Sequence, residues 1–307
     1  MSTAAMSTAT VTASTVNTGP LLKTKSIIRK TSSMKRLSAV LALLSVSATA
    51  YSEGSPWLPS DATTTVGISV TRGSTDKFFI GDESTDLGND LTGTFTWLNA
   101  SYGYDDIWAF DARTGHATSR FEGNPPDLEQ SDVADTSLGV SYQFINEFEA
   151  DNGLPTVAGR LGYTFGGSYD TNTIDAIGDG ASGFDASLLV GKSLTSEFSI
   201  YGDLTYRQRD NDVPDGVKLL VSGQYASPIP NLGFLVSLAG IRTDSDSNFG
   251  DPGVDFSQTN KDADWFILGA NYGFANGIGG GISFSTVLSG TNVPDTDIVT
   301  LNLGYSF

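Results

Sequence analysis

The stretch DTDIVTLNLGYSF, residues 295–307, alternates strictly over its second half. Val299, Leu301, Leu303, Tyr305 and Phe307 are apolar, and Thr300, Asn302, Gly304 and Ser306 between them are small or polar. A period of two sends successive side chains to opposite faces of a strand, so one face here is greasy and the other wet. An edge strand of a secreted sandwich would show the same alternation. The choice between that and a membrane strand rests on the rest of the chain.

Working back from this end, twelve segments of about ten residues carry the same character, the length a tilted strand needs to cross a hydrocarbon layer. They fall near 62–73, 91–103, 107–119, 135–145, 155–167, 183–193, 197–209, 216–226, 232–243, 263–274, 277–289 and 296–307. The seventh is the clearest, with Phe198, Ile200, Leu204 and Tyr206 on one face and Ser199, Tyr201, Asp203, Thr205, Arg207 and Arg209 on the other. In the second, Phe95 and Trp97 compete with Leu98, Ala100 and Tyr102 for the apolar face, and the alternation leaves both assignments open. The connections alternate in length, long at 74–90, 120–134, 166–182 and 244–262, short at 104–106, 194–196, 227–231 and 275–276. A sandwich gives no reason for such alternation, whereas a transmembrane barrel has short turns at one rim and long loops at the other. The predicted fold is therefore all-β: a twelve-stranded antiparallel up-and-down transmembrane barrel over residues 62–307. Closure also removes the unpaired edges that so many amphipathic strands would otherwise expose.

The terminal segment resembles the ending of bacterial outer-membrane barrels, whose last strand finishes in Phe. That resemblance implies that Leu301, Leu303, Tyr305 and Phe307 form an insertion signal read by the barrel assembly machinery. Tyr102, Trp108, Phe110 and Trp265 are candidates for an interfacial aromatic girdle, with core packing as the alternative.

Targeting signals agree. Met34-Lys35-Arg36, the apolar run 37–46 and Ala48-Thr49-Ala50 form a charged region, a short apolar region and an A-x-A cleavage pattern. Cleavage is expected after Ala50, leaving Tyr51 first, with 51–61 as a periplasmic lead in which Trp57 and Leu58 offer an alternative role as a small plug. Residues 1–33 form a low-complexity extension whose simplest reading is a start codon assigned too early, with Met34 the true start. No run of 18 apolar residues occurs, so no helix of this sequence spans a membrane. The chain has no cysteine, which excludes disulfides, thiol chemistry and a lipid-bearing Cys. Residues 1–50 hold six of the 17 basic side chains and no acid, so the remainder carries 11 basic against 35 acidic groups, a net charge of −24. Nucleic acid is excluded as a partner.

The polar faces of the strands offer Asp111, Arg113, Arg160, Asp185, Asp203, Arg207, Arg209 and Lys218 to the lumen, either as solute contacts or as ion pairs that fill a narrow interior. The long loops are acidic, which favours cations or neutral solutes at that rim, or bridging to lipopolysaccharide through divalent ions. Asp244, Asp246, Asn248 and Asp255 approach the spacing of a Ca²⁺ loop, but Phe249 stands at its sixth position, Gly250 comes one residue late and the closing acid is Asp. No other cofactor is implied. Outer-membrane phospholipases use a His-x-Ser pair, and here the single histidine, His116, is followed by Ala117-Thr118-Ser119. No nucleophile, phosphate loop or histidine cluster stands out, so an enzyme is not expected.

The stretches GRLGYTFGG (159–167), GFDASLLVGKSL (183–194) and SIYGDLTYRQRD (199–210) resemble the family named for the meta-pathway of phenol degradation, outer-membrane barrels often described as transporters. The resemblance covers most of 62–307 through short hairpin patterns and supplies no fixed catalytic residues. It implies passive uptake of a small, aromatic or otherwise hydrophobic solute in the outer membrane, with lipid and lipopolysaccharide as neighbours. A non-conducting surface protein, whose acidic loops bind cations, lipopolysaccharide or a partner, is the alternative.

Overall fold

The computed structural model describes residues 54–123, 127–150 and 153–307. The expected extension, signal peptide and cleavage site lie outside them. Twelve strands follow in chain order: β1 (Thr64–Ile80), β2 (Glu83–Tyr104), β3 (Trp108–Phe121), β4 (Leu128–Ile145), β5 (Thr156–Phe165), β6 (Gly183–Ser193), β7 (Phe198–Arg209), β8 (Gly216–Ala226), β9 (Leu232–Thr243), β10 (Asp262–Gly273), β11 (Ile278–Thr291) and β12 (Asp297–Ser306). Each pairs antiparallel with its chain neighbours, and β1 pairs with β12 to close the barrel.

The period of two decides which side chains face out. On β7, Phe198, Ile200, Leu204 and Tyr206 are exposed on the outer wall, while Ser199, Tyr201, Asp203, Thr205 and Arg209 are buried inside. The closing strand behaves the same way. Leu301, Leu303, Tyr305 and Phe307 face outward, and Thr300 and Asn302 face the interior. Two hydroxyl pairs seal the seam, Thr65 with Ser306 at 2.8 Å and Thr71 with Thr300 at 3.0 Å. In β2 the question left open by the sequence is resolved: Leu98 and Tyr102 are exposed outside, and Phe95 and Trp97 turn inward, stacked 6.0 Å apart.

Aromatic pairs mark both rims. At the short-turn end lie Trp108–Tyr142, Phe198–Tyr225, Tyr272–Phe274 and Tyr305–Phe307, with centroids 4.6 to 5.3 Å apart. At the long-loop end Tyr163 sits 4.8 Å from both Phe165 and Phe184. Rings at two levels with an aliphatic band between them are what a membrane barrel presents to its interfaces. Trp265 is the exception among the girdle candidates, because it packs inward on the cluster of Tyr201, Leu220, Leu235, Ala239 and Ile267.

Two expected loops are largely strand. Residues 74–80 and 83–90 extend the β1–β2 hairpin, with a bulge between Thr75 and Lys77 and a turn at Gly81, and β4 begins at Leu128 rather than near 135. Apart from Phe78-Phe79-Ile80 at the hairpin tip these extensions are mostly polar, and three apolar residues in a row carry none of the alternation by which the other strands are recognised.

Candidate functional site

The lumen has a charged wall, a capped long-loop end and a stoppered short-turn end. On the wall, Arg160 reaches Asp111 through Nε at 2.9 Å and Nη2 at 2.6 Å, a bidentate pair. Its guanidinium lies flat over Gly139 and Gly162, which face each other across the β4–β5 ladder; a Cβ at either would collide with it. Arg209 donates to both oxygens of Asp185, at 2.9 and 3.2 Å, and Arg207 approaches the same carboxylate at 3.6 Å. Asp203 accepts from Thr205, which also bonds Ser187. Arg113 stacks 3.8 Å over the Trp97 ring. Of the lumen residues picked from sequence, Asp111, Arg113, Arg160, Asp185, Asp203, Arg207 and Arg209 lie on the wall from β3 to β7, and Lys218 lies beside it on β8. There they stand chiefly as ion pairs with one another, because a charge in so narrow an interior is costly without a partner.

The loop after β5, residues 166–182, folds back into the barrel. Its apolar Tyr169 and Ile177 pack on Ala117 and Ala134 below Phe95 and Trp97. Tyr169 donates to Asp135 at 2.5 Å, Gly167 N–H donates to the same carboxylate at 2.8 Å, and Gln130 donates to the Asp170 carbonyl and to Thr173. Burial, with Asp135 beside it, pushes the Tyr169 phenol well above its ordinary value, so it stays a donor. Lys261, from the loop after β9, ties Asp179 at 2.6 Å and lies 4.8 Å over the Phe256 ring.

Burial alone would raise Asp179, yet the charges of Lys261 and then Arg207 hold it below the usual carboxylate value. A lowered folded-state pKa stabilises above the unfolded value, near 3.9, and that stabilisation is lost as pH falls through the lower folded one. Limited proteolysis is therefore expected to find loop 166–182 equally protected from pH 8 down to about 4 and released only in stronger acid. Loosening between pH 5 and 7 would contradict this latch.

A lid closes over these loops. Phe78 of the extended hairpin is buried against Phe249 and Phe256, with centroids 5.8 and 6.0 Å away. Asn292, also fully buried, accepts from Gly81 and Phe249 N–H and donates to the Asn248 side chain and the Asn260 carbonyl. Beneath lies a cavity of about 260 Å³, lined chiefly by Leu91, Phe95, Ile174, Phe256, Val293 and Ile298, with Asp179 and Lys261 at its polar edge.

At the other end the lead runs inside the barrel wall. A Cβ at Gly103 would meet the carbonyls of Pro59 and Ser60. Pro56 is buried and its carbonyl accepts from Gln143 at 2.8 Å, and the Trp57 ring meets Tyr201 edge-on at 6.1 Å. Glu147, in the β4–β5 turn, accepts from the Trp57 indole at 3.1 Å, from Ser193 N–H and Oγ, and pairs with Lys192 at 3.3 Å. The lead thus stoppers the short-turn end rather than trailing from it.

The calcium candidates are not brought together. Asp255 caps the helical turn 256–258 by accepting from Ser257, Asn248 is engaged by Asn292, and among the described residues no three His, Cys, Asp or Glu side chains converge on a metal position. His116 is exposed on the outer wall between Thr96 and Val133, while Ser119 faces inward. Sequence reasoning missed Glu147, Asn292 and the Asp179–Lys261 latch. Only the infolded loop left a signal, in the apolar Ile174, Ala176 and Ile177 of an otherwise polar stretch.

No family model and no curated protein matches the sequence. Among solved structures, an outer membrane channel from Pseudomonas putida F1 superposes with a TM-score of 0.65, covering 81% of this chain and 97% of that one at 17% identity. The translocator domain of the autotransporter NalP from Neisseria meningitidis gives 0.51, covering 91% of this chain and 98% of that domain at 12% identity. At such identities the likeness concerns the fold, that of bacterial outer-membrane barrels.

Proposed function

We propose that this chain is an outer-membrane channel for the passive uptake of small, uncharged solutes, apolar or aromatic. The observation that carries the reading is the apolar cavity of about 260 Å³ at the head of the lumen. That size suits a molecule of one ring, and a barrel packed solely for stability would have filled it. The wall charges are mostly neutralised by one another, so little in the lumen draws a lone ion. The acidic rim, with Asp82, Glu83 and Asp86 on the hairpin, repels anions and leaves neutral solutes unhindered. The likeness to the Pseudomonas channel supports the reading at the level of fold, and the phenol-pathway resemblance in the sequence supports an aromatic solute. Short turns then face the periplasm, long loops the exterior, and lipid and lipopolysaccharide surround the aromatic rims.

One observation favours the alternative of a non-conducting surface protein, namely that both ends of the lumen are covered. Refolded residues 51–307 in planar bilayers distinguish the two. A channel is expected to give small, cation-favouring steps that grow when the lead is removed. Silence from both forms of a folded, heat-modifiable barrel would sink the channel reading.

A further inference from the structure

The inner wall opposite the ion pairs is built differently. The ladder aligns Asn271 of β10 with Gly281 of β11, that glycine with Asn302 of β12, and Asn302 with Ser69 of β1. One level toward the long loops stand Ser283, Thr300 and Thr71, and Thr71 borders the apolar cavity. One level toward the short turns the same four strands offer only glycine: Gly273, Gly279, Gly304 and Gly67. A lane of amides, hydroxyls and bare backbone, without a charged side chain at these levels, therefore leads from the cavity to the short-turn rim.

Asn271 is the exceptional member of that lane. Its side chain points inward between the outward Ala270 and Tyr272, is 4% exposed, and neither its Oδ1 nor its Nδ2 has a hydrogen-bond partner within the protein. A buried carboxamide left unpaired is costly, and the ladder places glycine on both sides of it, Gly233 and Gly281, so no neighbouring side chain at that level reaches across to satisfy it. An amide presents a donor and an acceptor side by side. Its complement is a neutral group that also donates and accepts, a hydroxyl or a second amide. A carboxylate or ammonium satisfies only half of it and finds no countercharge at these levels of the lane.

We propose that Asn271 is a polar binding step for uncharged, hydroxyl- or amide-bearing solutes passing along the β10–β1 lane. This rests on the channel reading and narrows its substrate class, from any small apolar molecule to one with a neutral hydrogen-bonding group.

The test is a binding measurement that needs no conduction. In the refolded ¹⁵N-labelled barrel, the Asn271 side-chain amide resonance is assigned by its disappearance in Asn271→Leu, with Asn271→Ser as the second variant should the first not fold. Phenol is titrated, with toluene as the hydroxyl-free ring of equal size. The expected result is a saturable shift of that resonance with phenol and none with toluene, together with loss in the variant of any phenol-induced rise in the heat-modifiability midpoint. A response to toluene equal to that to phenol, or none to either, overturns the proposal. A specific phenol shift in a barrel silent in bilayers would uphold the site while removing the channel reading, so the two fail separately.

Discussion

Trp57→Ala is expected to open the short-turn end, with single-channel conductance rising severalfold over wild type while the barrel's heat stability barely changes. The indole fills the space against Tyr201 and the Leu220–Leu235–Ile267 cluster, and its N–H is one of the donors gathered by the buried Glu147. Trp57 is half-buried, so its loss costs less than the ~3 to 5 kcal/mol of a fully buried tryptophan, yet at about 1.4 kcal/mol per tenfold it still shifts the docked-to-released ratio of the lead by roughly an order of magnitude. That energy belongs to the lead rather than to the ladders, because no inter-strand bond involves Trp57. Glu147→Ala is expected to move conductance in the same direction but less, since the ring packing survives. Glu147→Gln keeps an acceptor for the indole and is expected to stay close to wild type. An accompanying protease assay reads release directly, as cleavage within the lead under conditions that spare the strands. Unchanged conductance in Trp57→Ala, with the lead demonstrably cleavable, would show that the lead does not obstruct the path.

What the sequence reveals about this molecule follows the physics of its pattern. Strands between lipid and lumen must alternate, and β5 to β12 lie within two residues of where alternation places them. Strand that leaves the membrane is under no such rule: the hairpin beyond it is mostly polar and then apolar at three successive residues, Phe78, Phe79 and Ile80. For this reason residues 74–90 read as a loop although they form a hairpin. The lumen charges were legible as a set because Asp111, Arg160, Arg207 and Arg209 all fall on polar faces, but their pairing depends on ladder register across β3 to β7, which no single segment encodes. Glu147 and Asn292 lie in connections, where no period fixes direction. Each gathers partners distant in the chain, from 9 to 90 residues away for Glu147 and from 32 to 211 for Asn292. Trp57 could be noticed as an apolar residue in a polar lead, yet its seat is made by strands that come together only on closure.

Asn292→Ala is expected to unfasten the long-loop lid. Four hydrogen bonds converge on this one side chain, two received from the Gly81 and Phe249 amides and two given to Asn248 and Asn260. At about 0.5 to 1.5 kcal/mol net for each bond, their loss amounts to several kcal/mol, and the two amides lose their acceptor. The backbone adds to this, because Asn292 holds φ at +52°, a left-handed conformation that asparagine adopts at less cost than alanine. Asn292→Gly separates the two effects, since it keeps the backbone at ease and removes only the bonds. Both variants are expected to show fast hydrogen exchange at Gly81 and Phe249, with alanine the worse, and new protease sites in the β1–β2 hairpin tip and loop 244–261. Asn292→Asp retains the two acceptor contacts but loses both donations, and it sets a negative charge against the Asn260 carbonyl, so it is expected to loosen the Asn260 side of the lid first. The aromatic trio of Phe78, Phe249 and Phe256 remains in every variant. Were exchange at Gly81 and Phe249 to stay slow in Asn292→Ala, ring packing would be sufficient to hold the lid, and access to the cavity would be governed by the rings rather than by the asparagine.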